Sequence, residues 1–195
     1  DDSPAAETTY QAHFFFDPNR ITMAANDNHI LFYGYSGSTI LALRLEIRYA
    51  SGNYQLRPSF RTDGNAWATS ASWYTITDAP HRIDLSWRAA TSVGANNGTM
   101  GFSIDGAQKV NLTGVDNDTR RIDRIRLGAV AFVDNGTRGS YFFDDFDSQR
   151  IMSNVTASAE AAPDNDLIYE DLRAEEVAWE VEEATKQPPA TVFLP

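Results

Sequence analysis

Along the first 150 residues apolar and polar side chains alternate with the period of a β-strand. Leu41, Leu43, Leu45, Ile47 and Tyr49 fall on one side of such a strand, and Arg44, Glu46 and Arg48 on the other. The next run repeats the pattern, with Tyr54, Leu56 and Phe60 inward and Gln55, Arg57 and Arg61 outward. The Ser51-Gly52 pair between them predicts an antiparallel hairpin with Tyr49 opposite Tyr54. That register sets Glu46 against Arg57 as a cross-strand ion pair. Ile83, Leu85 and Trp87 alternate with Arg82, Asp84, Ser86 and Arg88; Met100, Phe102 and Ile104 follow after an Asn-Gly pair; Ile125, Leu127 and Ala129 alternate with Arg124, Arg126 and Gly128. The opening run Tyr10 to Asp17 and the late run Tyr141 to Asp147 are aromatic on both sides. Such strands belong in the middle of a sandwich or beneath another chain.

Turn signals punctuate these runs at Asp17-Pro18-Asn19, Asp63-Gly64, Asn97-Gly98, Asp105-Gly106 and Asn135-Gly136. Roughly ten to twelve short strands, each with one apolar face, require two packed sheets, so the expected class is all-β.

The pattern changes near Arg150. Residues 1–150 carry 17 acidic and 14 basic side chains, whereas residues 151–195 carry 10 and 2. Between Thr8 and Ala159 the one Glu is Glu46, and seven of the nine Glu residues follow Ala159. Glu favours helix and Asp favours turns, so the two segments obey different local rules. In the tail Leu167, Ile168 and Leu172 suit a short helix; Val177, Trp179 and Val181 then take strand spacing, with a helix through Lys186 as the competing reading. The chain ends on Val192, Phe193 and Leu194 before Pro195. A segment this acidic with so few apolar residues lacks the means to order itself, which predicts that Val177, Trp179, Val181, Val192, Phe193 and Leu194 dock on a neighbouring copy.

Composition narrows the function classes. The chain has 195 residues, a net charge of −11 and no Cys. The charge argues against a nucleic-acid partner. The missing cysteines exclude disulfides, cysteine nucleophiles and thiolate metal sites. No run of about 18 apolar residues predicts a membrane span. The chain begins at Asp1, which reads as a processed product or fragment whose signal peptide has gone. Five Asn-x-Ser/Thr sequons, at Asn97, Asn111, Asn117, Asn135 and Asn154, suit a secreted protein and equally suit a body rich in Asn and Thr.

His81-Arg82-Ile83-Asp84-Leu85-Ser86-Trp87 resembles the strand before the long loop of laminin-G-like domains, members of the concanavalin-A-like lectin/glucanase jelly rolls. Gly98-Thr99-Met100-Gly101-Phe102-Ser103-Ile104-Asp105-Gly106 resembles the next strand and its hairpin. Arg124 to Ala129 and Gly139 to Phe146 look like the closing pair. The resemblance covers about residues 9–150. It implies a two-sheet antiparallel jelly roll with a C-terminal extension (short helix, extended strand or both) over 151–195. It also implies an extracellular or cell-surface setting and frequent glycan or protein binding.

Candidate chemistry is sparse. Glucanases of this superfamily carry two catalytic carboxylates about 5–5.5 Å apart. Here Glu46 has Arg48 and Ser51 where their motif has acids, so Glu46 reads as an exposed ion-pair member and the chain as no enzyme. Asp144 and Asp145 could take calcium, which laminin-G-like relatives often bind; an Arg partner for Asp144 would serve as well. No other cofactor is expected. His13, His29 and His81 lack metal or triad spacing. Trp67, Trp73 and Tyr74 lie in a poorly alternating stretch, where aromatic rings either stack on sugars or pack inward. Two functions follow as expectations. The first is a non-enzymatic extracellular structural subunit that self-assembles by exchanging a terminal segment. The alternative is a carbohydrate-binding or adhesion module using Trp67, Trp73 and Tyr74.

Overall fold

The computed structural model describes residues 6–149 and 190–191. Twelve strands form it: β1 (Thr9–Asp17), β2 (Asn28–Ser36), β3 (Ile40–Ala50), β4 (Asn53–Arg61), β5 (Trp67–Thr69), β6 (Tyr74–Ile76), β7 (His81–Arg88), β8 (Gly98–Ile104), β9 (Ala107–Val115), β10 (Arg124–Ala131), β11 (Phe142–Gln149) and β12 (Ala190–Thr191). The first sheet runs β12-β11-β1-β7-β8-β9 and the second β10-β2-β3-β4-β5, with β6 also on β4. Every pairing is antiparallel. This is the expected all-β two-sheet sandwich of jelly-roll type.

Two of the expected hairpins form for a local reason. Ser51 and Gly52 both adopt positive φ (53° and 78°), as do Asp105 and Gly106 (52° and 75°). Two successive left-handed residues make the turn whose twist matches paired strands. The first turn fixes Tyr49↔Tyr54 and Glu46↔Arg57, as the alternation predicted. The second joins β8 to β9.

The core lies between the sheets. Tyr10, Phe14, Phe16, Ile83, Leu85, Trp87, Met100 and Phe102 come from the first sheet, and Phe32, Leu43, Leu45, Ile47, Leu56 and Phe60 from the second. Phe14 and Phe32 stack across the interface with centroids 6.3 Å apart and planes 6° from parallel. The aromatic strand β1 sits between β11 and β7, inside its sheet, as its composition predicted.

Two bulges and one strand pairing alter expectations. The register of β2 on β3 slips between Gly34 and Tyr35, so Ala42 joins the core and Leu41 packs on the outer face with Ile30, Tyr33 and Tyr35. Leu41 therefore does not share a side with Leu43. A second slip lies between β1 and β11, where Asp145 takes a φ of 48°. It leaves Asp144 exposed opposite Phe15 rather than buried, and its carboxylate accepts the Asp145 N–H at 2.9 Å. Third, Ala190 and Thr191 pair with Phe143 and Phe142 of the same chain, on the free edge of β11. The contact residues Val177, Trp179, Val181, Val192, Phe193 and Leu194 and the helix over 167–172 lie outside the described residues.

One histidine is enclosed. His29 is 1% exposed, stacks on Tyr141 at 5.8 Å, and has no hydrogen-bond partner on either ring nitrogen among the described residues. Burial pushes its pKa down to about 4, against a weaker upward pull from Asp134. Unfolding restores the ordinary value of about 6.5, so the unfolded chain takes up the proton first. The stability owed to neutral His29 is complete above pH 6.5 and falls away as the pH drops toward 4. His29→Phe should keep roughly 3 kcal/mol more of its stability between pH 7 and pH 4 than the parent chain. Urea midpoints at the two pH values measure this, and equal losses in both proteins would refute it.

Candidate functional site

The outer face of the second sheet gathers most of the molecule's unusual chemistry. β3 presents Arg44, Glu46 and Arg48 there because alternate residues share a face. β4 adds Arg57 and Arg61, in register with Glu46 and with Trp67 of β5. β2 adds Tyr33, opposite Arg44. β10 adds Arg124, opposite Tyr35, and Arg126, opposite Tyr33. Trp73, just ahead of β6, closes the side beyond β4.

Glu46 sits at the centre and is 3% exposed. The expectation of an exposed ion-pair member is therefore corrected: the pairing with Arg57 is right and the burial is not. Arg57 Nε donates to Oε2 at 3.2 Å, with Nη2 also 3.2 Å away, and Arg44 Nη2 lies 3.4 Å from the same oxygen. Asn28 Nδ2 donates to Oε1 at 2.9 Å. A carboxylate shut away from water needs such a full set of donors.

Each indole meets two guanidinium groups. Arg44 and Arg61 lie 4.2 and 5.0 Å from the Trp67 ring centre, and Arg48 and Arg57 both lie 4.2 Å from that of Trp73. Arg124 and Arg126 approach Tyr35 at 4.7 and 5.6 Å. All six are close enough for cation–π attraction. Burial lowers the pKa of Arg44, opposed by Glu46 and Tyr33, and burial raises that of Tyr33, opposed by Arg44. Arg44 Nε, Arg61 Nε and Ser59 Oγ are buried without a hydrogen-bond partner among the described residues. The face thus holds charged donors whose capacity is not used up.

The three aromatic candidates divide. Trp67 and Trp73 belong to this face, half-buried under arginines. Tyr74 turns to the core, 5.9 Å from Phe102, with its hydroxyl 3.0 Å from Ser70 Oγ. The calcium candidates Asp144 and Asp145 sit on β11, on the other sheet. A different trio, Asp63, Asp116 and Asp118, brings carboxylate oxygens within 4.8 Å of one another, but Asp63 is engaged by Thr119 and by Arg120 at 3.6 Å. Among the sequons, Asn117 is fully buried, its Oδ1 accepting the Ala90 N–H at 2.7 Å, so it is closed to glycosylation. The arginine cluster was present in the alternation of β3 and β4, but the convergence of β10 and β5 on it was not.

No protein-family model matches the chain, and no curated protein is similar to it. Solved structures are similar in fold. The alginate lyase Aly36B is 12% identical, with 74% of this chain and 70% of that one covered and a TM-score of 0.47. An alginate lyase of Pseudomonas aeruginosa is 12% identical over 75% of this chain and 66% of its own, with a TM-score of 0.47. Domain 4 of an extracellular arabinanase from Geobacillus stearothermophilus, solved with arabinotriose, is 15% identical over 74% and 61%, with a TM-score of 0.41. The chain spans 56 to 70% of the lengths of four polysaccharide lyases with this fold. Likeness at this level concerns the lectin-like sandwich alone.

Two expectations are corrected here. A missing glucanase carboxylate pair does not make the chain a non-enzyme, because lyases that cleave polysaccharide share the sandwich. The self-assembling structural subunit also gives way. The similar structures are carbohydrate-active proteins rather than polymer subunits, and the one described piece of the tail pairs with its own body.

The buried carboxylate makes the site testable without a ligand. Arg57→Ala leaves Glu46 short of its main partner and should cost about 3 kcal/mol in urea unfolding. Replacing both partners, Glu46→Met with Arg57→Met, should recover most of that loss. A single variant as stable as the parent would show that Glu46 does not depend on the pair.

Proposed function

We propose that the chain is an extracellular carbohydrate-binding module of the laminin-G-like kind, and that the arginine face of its second sheet holds an acidic polysaccharide. The observation that carries this reading is the set of six guanidinium groups on a single sheet face, two of them paired to a buried carboxylate, in a chain of net charge −11. A chain this acidic spends its positive charge where it serves a purpose. A basic face with aromatic walls concentrates anionic ligands locally despite the overall sign.

The choice of cation supports an oxyanion ligand. Residues 1–150 hold 13 Arg and one Lys. Arginine's planar fork matches a carboxylate or sulfate with two parallel hydrogen bonds, which lysine cannot do. The indoles hold the guanidinium planes in place, which reduces the conformational freedom lost on binding. Glu46 orients Arg44 and Arg57 from beneath, and Arg48, Arg61 and Arg126 stand around them to meet the ligand.

The test is affinity for polygalacturonate beside uncharged dextran and a single-stranded DNA oligomer. Polygalacturonate should bind, dextran should not, and raising the salt from about 0.05 to 0.5 M should weaken binding at least tenfold. Arg48→Ala and Arg61→Ala should each weaken it by roughly three- to tenfold without loss of fold. Salt-insensitive binding, or tighter binding of the DNA, would reject the reading. Unsaturated uronate ends appearing in the mixture would add cleavage by elimination to binding.

A further inference from the structure

The opposite broad side of the sandwich carries a second, chemically different feature. Residues from five strands of the first sheet line a trough of about 330 Å³ on its outer face. Its floor is built from two register rows. One runs Asp147, His13, Asp84, Ser103, Gln108 across β11, β1, β7, β8 and β9. The next runs Gln149, Gln11, Ser86, Gly101, Asn111 across the same strands. Every position in both rows is polar or glycine. At the usual strand spacing each row is roughly 19 Å long.

The depression has an identifiable cause. Gly101, Ser86 and Ser103 are the smallest side chains in the two polar rows, and they lie together. Gly101 N donates to Ser86 Oγ at 3.1 Å, and a Cβ at Gly101 would run into that hydroxyl. Longer side chains, Gln11, Gln108 and Gln149, stand around this low centre. The ionisable groups present are paired within the trough: Arg82 Nη2 is 2.9 Å from Asp84 Oδ1, and His13 Nδ1 is 3.9 Å from Asp147 Oδ2. One row further along β1, Phe15 stands between Arg82 and Asp144 and is 36% exposed.

We infer that this trough binds an uncharged, extended oligosaccharide. Amides and hydroxyls both donate and accept, which suits the hydroxyl groups of a sugar chain better than an ion of either sign. Among the described lining residues the one Arg or Lys is Arg82, and it is held by Asp84, so a polyanion gains little there. An exposed Phe beside the polar rows offers a flat apolar surface for one face of a sugar ring. The molecule then has two saccharide faces of opposite preference on its two broad sides. The inference does not rest on the arginine-face reading, and either can fail alone.

The experiment titrates the full chain, isotopically labelled, with cellohexaose, mannohexaose and xylohexaose while following backbone amide signals. At least one hexasaccharide should shift amides of β1, β7 and β8 and leave those of β3 and β4 in place. The double variant Gln11→Ala, Gln108→Ala should weaken that binding roughly tenfold or more, as expected for two lost hydrogen-bonding groups. Phe15→Ala, also at the surface, should weaken it independently. Polygalacturonate should not displace the hexasaccharide. Failure of all three sugars to shift the first sheet, shifts confined to β3 and β4, or unchanged affinity in both variants would overturn the proposal.

Discussion

A carboxylate enclosed in the middle of a sheet face is the constraint from which the arrangement of that face follows. Glu46 cannot stay charged out of water unless cations and amides surround it. Arg57, Arg44 and Asn28, from three adjacent strands, meet that demand. Drawing the two arginines inward places their planes against Trp67 and Trp73, which in turn receive Arg61 and Arg48. The cluster therefore acts as one unit in which charge, aromatic surface and strand register are mutually dependent. The β3–β4 hairpin supplies the register, so a two-residue turn at Ser51-Gly52 ultimately sets where the cations stand.

Much of this was legible in the residues, and the remainder was not for definable reasons. The alternation in β3 and β4 gave the hairpin, its register and the Glu46–Arg57 pair, because those depend on neighbours a few residues apart. The burial of Glu46 was not legible. It arises from the lengths of side chains on other strands, and alternation tells which side a residue faces but not what lies over it. Bulges were equally hidden. One extra residue at Ala42 sends Leu41 to the outer face, and another at Asp145 leaves Asp144 in solvent, although both sequences read as regular strands. Tyr74 beside Trp73 shows the same limit: adjacent residues in a strand point oppositely, and composition cannot choose between them.

The tail illustrates a different kind of error. Its acidity and scarcity of apolar residues argued that a second molecule must hold it. That argument counted side chains and omitted the backbone. The free edge of β11 presents unpaired amides and carbonyls, and pairing them needs no apolar anchor. Ala190 and Thr191 use that edge. The fold comparisons carry a related lesson. A sandwich shared by lyases and an arabinanase domain leaves function to the residues on its faces, and here the two faces differ sharply in charge.

The scarcity of lysine has a practical side. The chain has two lysines, Lys109 and Lys186, and none of the described residues of the second sheet is a lysine. Amine-directed reagents will therefore leave the guanidinium cluster unmodified. Coupling to a sensor surface through Lys109, on β9 at the border of the other sheet, tethers the protein away from that cluster and leaves it open to solution. Acetylation, which silences lysine-based polyanion sites, has no foothold there, so the positive charge of this face is a fixed property rather than an adjustable one.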